Sequence, residues 1–240
     1  MQVIICKDYE EMSKRGARII ASQLILKPDS VLGLATGSTP VGMYSILGEL
    51  CAKGEIDFSR VSSYNLDEYY PISPDNPQSY KYFMEENLFS KVNIDRARTH
   101  IPSGNSADPE KECKEYDELV AASGGVDIQV LGIGQNGHIG FNEPDDALIT
   151  GTHVTSLTES TIKANARFFD SIDEVPTKAL TMGMATILKA KKILLLANGK
   201  AKHDAVKELL NDKINTQIPA TLLKLHSDVI LICDKEAYYG

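Results

Sequence analysis

Apolar residues cluster along this chain in short runs of strand length: Val3–Cys6, Val31–Ala35, Val61–Leu66, Val126–Ile133, Ile193–Ala197 and Val229–Cys233. Between them the apolar positions recur at helical spacing. The segment Tyr9–Leu26 presents Met12, Ala17, Ile19, Ile20, Leu24 and Leu26 on one face. Pro40–Lys53, Gln78–Phe89, Pro109–Ser123, Lys178–Lys189 and Lys200–Leu210 follow the same pattern. Strands alternating with helices predict an α/β fold, a Rossmann-like, mostly parallel sheet with helices on both faces. No repeat, low-complexity tract or linker divides the sequence, so a single domain over residues 1–240 is expected. The longest irregular stretches, Tyr70–Pro77 and Glu143–Gly151, each follow an acidic motif and are candidate parts of a lid.

One of these runs ends unlike the others. After Ile133 the strand pattern of Val126–Ile133 gives way to Gly134, Gly137 and Gly140, with Asn136, His138 and Glu143 set among them. A turn needs one glycine. A glycine-rich loop carrying a histidine and a carboxylate at a strand end is how α/β folds place proton-transfer chemistry.

Two further strand ends carry candidate chemistry. Leu34-Ala35-Thr36-Gly37-Ser38-Thr39-Pro40 combines a permissive glycine, the hydroxyls of Ser38 and Thr39 and a proline suited to the first helical position. Such a turn is either an anion site at a helix N-terminus or a plain cap. It has no Walker lysine, so as an anion site it suits a monophosphate better than ATP. Tyr64-Asn65-Leu66-Asp67-Glu68 ends a strand in adjacent carboxylates, of which only one can face a given cleft. A carboxylate there is a general base, a metal ligand or a solvated cap. Lys200 and Lys202 follow Asn198-Gly199 at another strand-to-helix turn, and Arg167 stands in a moderately apolar stretch; each could serve a phosphate.

Charge and composition narrow the classes. With 25 basic against 33 acidic residues, the net charge of −8 argues against nucleic acid or anionic membranes as partners. Cys6, Cys51, Cys113 and Cys233 show no paired spacing, and His100, His153, His203 and His226 form no ligand set with His138, so no metal site is expected. The N-terminal MQVIICKDYEEM has too short an apolar run for a signal peptide, and a cytoplasmic protein with reduced thiols is expected.

Together the segments LATGSTPVGMY (Leu34–Tyr44), YNLDEYYPI (Tyr64–Ile72), SYKYFMEENLF (Ser79–Phe89), LGIGQNGHIGFNEP (Leu131–Pro144), NARFF (Asn165–Phe169) and ALTMGMATIL (Ala179–Leu188) resemble the glucosamine-6-phosphate deaminase family. The Asp-Glu-Tyr and Gly-His-Ile-Gly-Phe-Asn-Glu-Pro motifs are specific to the deaminases, whereas the Thr-Gly-Ser-Thr-Pro turn is shared with sugar-phosphate lactonases. The resemblance implies conversion of glucosamine 6-phosphate and water to fructose 6-phosphate and ammonia, a step of amino-sugar catabolism, without cofactor or metal. It assigns Asp67 as the base of enolisation and His138, assisted by Asn136 and Glu143, to ring opening. Thr36, Gly37, Ser38, Thr39, Arg167 and a lysine after Gly199 would hold the phosphate; the family spacing selects Lys202, and a one-residue slip would select Lys200.

Two departures from the family carry expectations. Some relatives have aspartate at the position of Asn136, so the polar partner of His138 is uncharged here and the histidine's proton affinity is expected to be modestly lower. Relatives under allosteric control carry basic residues where this chain has His153 and Thr155, and a longer C-terminal extension. A monomer without an allosteric effector site is therefore expected. The alternatives are a lactonase on the same scaffold, or a sugar-phosphate-sensing regulator; the latter would need an added DNA-binding module.

Overall fold

Most of the apolar runs form strands buried on both faces, as their lack of alternation requires, while the first, at the sheet edge, leaves Val3 and Ile5 exposed. In chain order the elements are β1 (Gln2–Cys6), α1 (Tyr9–Leu26), β2 (Val31–Leu34), α2 (Val41–Ala52), β3 (Ser62–Asn65), β4 (Asp67–Tyr70), α3 (Tyr80–Asn87) and β5 (Thr99–His100). They continue with α4 (Pro109–Ala122), β6 (Ile128–Gly132), β7 (His153–Ser156), α5 (Glu159–Asn165), β8 (Lys178–Thr181), α6 (Met184–Leu188), β9 (Ile193–Ala197), α7 (His203–Leu210), β10 (Val229–Asp234) and α8 (Lys235–Tyr239). The computed structural model describes residues 1–166, 169 and 171–240, with the backbone alone at Ser160, Ala164 and Asn165.

Seven strands form a parallel sheet in the order β1-β10-β9-β6-β2-β3-β5. Every residue of β2, β9 and β10 is buried. From β2 the chain proceeds outward to β3 on one side, while from β6 it proceeds to β9 and β10 on the other. The boundary between β2 and β6 is thus a topological switch point, where the loops beyond the strand ends diverge and leave a crevice.

Local chemistry sets the helix ends. Asp8 caps α1 by accepting the amide of Glu11 at 2.9 Å, and Glu11 reaches back to the amide of Lys7 at 2.8 Å. Asp108 caps α4, with Pro109 at its first position. Met12, Ala17, Ile20 and Leu24 of α1 are buried as its periodicity predicts, but Leu26 is 84% exposed. Two residues beyond Leu24 is a rotation of about 200° on a helix, which carries Leu26 off the packed face.

A second sheet, antiparallel and three-stranded in the order β4-β8-β7, is absent from the sequence-based expectation. Its strands hide behind polar residues: Asp67 and Glu68 begin β4, and His153 begins β7. The segment 178–189, read as one helix, is instead strand β8, a break at Met182-Gly183, and the short helix α6. Short apolar runs such as Ala179-Leu180 fit either state, and here pairing on both sides selects strand. Gly183 passes so close to the backbone of Thr150 and Gly151 that a Cβ would not fit. Pro40 also departs from expectation: it precedes α2 as the cap residue rather than opening the helix.

Candidate active site

Four adjacent strand ends, β9, β6, β2 and β3, deliver their loops to one cavity of about 500 Å³. Thr36, Gly37, Ser38 and Thr39 line it after β2, and Asp67 after β3. Gly134, Asn136, His138 and Gly140 line it after β6; Asn198 and Lys202 line it after β9.

The Thr36–Thr39 loop is held from both ends by tyrosines. Tyr44 of α2 donates its phenol to the carbonyl of Ala35 at 2.6 Å. The phenol of Tyr9 donates to the carbonyl of Ser38 at 3.1 Å and accepts the amide of Gly42 at 2.8 Å. Gly37 adopts φ +87°, and a Cβ there would meet nothing within 4 Å, so it opens onto the cavity. The loop runs into the N-terminus of α2, where the helix dipole favours an anion. The hydroxyls of Thr36, Ser38 and Thr39 and the half-buried Lys202 complete a phosphate-sized environment.

Asp67 stands where the chain passes from one sheet to the other. Leu66 donates its amide to Leu34 of the parallel sheet at 3.2 Å, and its carbonyl accepts the amide of Met182 at 2.7 Å. Asp67 then pairs in register with Thr181. Asp67 is 6% exposed, and burial, with the neighbouring Glu68, pushes its pKa up to about 8. Glu68 is also buried, pointing away from the cavity as strand alternation requires. Its carboxylate accepts the amides of Tyr69 at 2.9 Å, Tyr80 at 2.8 Å and Lys81 at 3.0 Å. Burial raises its pKa against the opposing pull of those amides. The solvated-cap reading of the acidic pair is therefore wrong: neither carboxylate is in water.

The loop after β6 is folded around the imidazole of His138. Gly134 donates its amide to the His138 carbonyl at 2.9 Å, and a side chain at Gly134 would collide with the ring. The ring Nδ1 lies 3.4 Å from a Glu143 oxygen. The same oxygen accepts the side-chain amide of Asn136 at 2.7 Å, and the other accepts the hydroxyl of Thr161 from α5. Burial would raise the Glu143 pKa, but His138, Thr161 and Asn136 outweigh it and hold the carboxylate down at about 2. The far side of the loop is tied to β8: Phe141 donates its amide to the Thr181 hydroxyl at 3.0 Å, and the Asn142 side chain donates to the Met182 carbonyl at 2.8 Å.

The structure thus brings Thr36, Gly37, Ser38, Thr39, Asp67, Asn136, His138 and Lys202 to one cavity, with Glu143 supporting His138 from behind. Lys200 is exposed and not among the lining residues. Arg167 lies outside the described residues. Asn136 is not the direct ring partner its sequence position implied: its amide serves Glu143, and its oxygen accepts the backbone amide of His138 at 3.2 Å. Tyr80, Phe141 and Thr161 also line the cavity and were not singled out as site residues in the sequence. Only their long-range packing places them there: Tyr80 stacks on Phe141 at 6.0 Å with the rings 4° from parallel. Among the described residues no group of three or more His, Cys, Asp or Glu could hold a metal ion.

A model of the family of glucosamine-6-phosphate isomerases and 6-phosphogluconolactonase matches residues 8–232. A glucosamine-6-phosphate deaminase of Halothermothrix orenii is 60% identical over 237 residues, covering 99% of this chain and 98% of that protein. A glucosamine-6-phosphate deaminase of a Thermoanaerobacter species is 57% identical, covering 99% and 94%. Among solved structures, a monomeric glucosamine-6-phosphate deaminase, 50% identical, matches with a TM-score of 0.97 over 99% of this chain and 98% of its own. A 6-phosphogluconolactonase of Thermotoga maritima, 23% identical, matches with a TM-score of 0.75 over 98% and 99%, a likeness of fold alone.

Proposed function

The chain belongs to the glucosamine-6-phosphate deaminase family, and on that premise we propose that it converts glucosamine 6-phosphate and water to fructose 6-phosphate and ammonia, with His138 opening the sugar ring and Asp67 moving the C2 proton. The observation that carries this reading is the sharing of one cavity by a desolvated carboxylate, a carboxylate-backed imidazole and an anion-binding loop.

Substrate enters as a closed ring held by its phosphate, at the Thr36–Thr39 loop and Lys202, with Arg167 joining them. Phosphate binding is remote from the reacting carbons and can be used to orient them. His138 takes the anomeric hydroxyl proton and returns it to the ring oxygen, freeing the C1 aldehyde; Glu143 stabilises the imidazolium in between, and Asn136 fixes Glu143. Asp67 then removes the C2 proton, made acidic by the adjacent aldehyde. Its raised pKa makes it a stronger base than an ordinary carboxylate. Returning that proton to C1, while the amine nitrogen gives up one proton that ends on O1, leaves a primary alcohol at C1 and an imine at C2. Water adds to the imine carbon, the C–N bond breaks, and ammonia leaves a ketone.

A lactonase hydrolyses a carbonyl with water and has no carbon-bound proton to remove, which would leave Asp67 without a task. The relevant assay follows ammonia and fructose 6-phosphate from glucosamine 6-phosphate, in parallel with hydrolysis of 6-phosphogluconolactone. Equimolar products from the amino sugar and no lactone hydrolysis are expected; the reverse would replace this reading with the lactonase. The enzyme is further proposed to act as a cytoplasmic monomer, without an allosteric effector site. Among the described residues no helix is long and apolar enough to cross a membrane.

A further inference from the structure

Glu68 has no place in the proton transfers, yet it is 2% exposed and collects three backbone amides. Two of those, from Tyr80 and Lys81, are the first amides of α3; the third first-turn amide, of Tyr82, goes to the Ser79 hydroxyl at 3.0 Å. The orphan donors of this helix end are therefore met by one carboxylate and one cap. The helix so held begins with Tyr80, whose ring lies 4.8 Å from that of Tyr69, stacks on Phe141 and walls the cavity together with Asp67. On the other side Gly104 fits so closely that a Cβ would stand 2.9 Å from the Glu68 Cγ and 2.5 Å from the Tyr69 carbonyl. The side chain is confined to its turn toward α3.

An acceptor-only group is required here. Glutamine has the same shape but one acceptor oxygen, so its NH₂ would face the amide of either Lys81 or the Tyr69–Tyr80 pair. The carboxylate also sets a negative charge one residue from the base. Among the described residues, the other titratable groups electrostatically linked to this pair include Tyr69, Tyr80 and Tyr116, with Lys81 facing Glu68. Its neighbour's charge favours the protonated state of Asp67.

We propose that Glu68 is a positioning residue of the reaction, which holds the first-turn amides of α3, and with them Tyr80 in the cavity wall, and keeps a negative charge beside Asp67. The inference rests on Asp67 being the carbon base.

The test compares kcat, KM and their pH profiles for wild type, Glu68→Gln, Ser79→Ala and Asp67→Asn. Glu68→Gln is expected to lower kcat by about tenfold or more with KM within about threefold, and to move the acidic limb of kcat to lower pH by about one unit. Ser79→Ala loosens the same helix turn without changing the charge, so the limb should stay where it is. A Glu68→Gln limb identical to wild type would overturn the proposal while leaving the base assignment intact. Full activity in Asp67→Asn would instead overturn the base assignment. If Glu68→Gln does not fold, carboxyl carbon-13 NMR of the wild type decides: the Asp67 signal should show a second step coincident with Glu68 titration, and a single independent step would overturn the coupling.

Discussion

Asn136 donates its side-chain amide to the same Glu143 oxygen that lies 3.4 Å from the His138 ring. The asparagine thus sits behind the carboxylate, not beside the imidazole, and acts on the histidine through Glu143. Replacing it by aspartate would set a second carboxylate against Glu143. Asn136→Asp is expected to raise the proton affinity of both Glu143 and His138. The acidic limb of kcat/KM should then move to higher pH, because the ring-opening histidine must be unprotonated to accept a proton. Thermal stability should fall. A limb that stays in place would detach Asn136 from the ring-opening group.

Asp67 makes the fold pH-sensitive. Its folded pKa of about 8 lies above the ordinary value of 3.8, so the fold favours the protonated form. That contribution is complete below about pH 4 and is lost as pH rises through about 8. Asp67→Asn removes the loss. The variant should match wild type near pH 4 and be more stable near pH 9 by several kcal/mol, with a correspondingly higher Tm. Calorimetry at the two pH values checks this; a variant less stable than wild type at pH 9 would show that Asp67 is stabilised as a carboxylate.

Lys202 lines the cavity and Lys200 does not. Lys202→Ala is expected to raise KM by about 10–100-fold, the scale of one lost charge-assisted phosphate contact of about 1.5–3 kcal/mol, with a smaller effect on kcat. Lys200→Ala should change KM less than twofold. Steady-state kinetics on the two variants, with inorganic phosphate as a competitive inhibitor, separates them; the opposite ranking would move the phosphate site by one helical face.

Thr161 ties α5 to the ring-opening pair by donating its hydroxyl to Glu143. Thr161→Val keeps the shape and removes the donor. Glu143 should then titrate higher and hold His138 less firmly, with kcat reduced by about tenfold, about 1.4 kcal/mol, and the phosphate contribution to KM unchanged. An unaltered kcat would make the contact purely structural.

The centre of the parallel sheet was legible because β2, β6, β9 and β10 are largely apolar runs, whereas β5, Thr99–His100, has no apolar residue and went unread; the glycine-rich loop after β6 stood out because three polar groups interrupt its glycines. The small antiparallel sheet was hidden: Asp67-Glu68 and His153 read as loop chemistry, and only pairing with β8 makes them strand. Site residues were legible where they belong to strand-end motifs. Tyr80 and Thr161 were not, because each reaches the cavity from the first turn of a helix. What fixes them there is a bond to a buried carboxylate, Glu68 in one case and Glu143 in the other, from a distant part of the sequence.

Asp67 is proposed to carry the proton from C2 to C1. Turnover of glucosamine 6-phosphate by Asp67→Asn, measured as fructose 6-phosphate formed, with substrate affinity measured by calorimetry, tests it most directly. In the variant kcat is expected to fall by at least about 10³-fold with Kd within about threefold of wild type. Turnover by the variant at the wild-type rate would contradict that role.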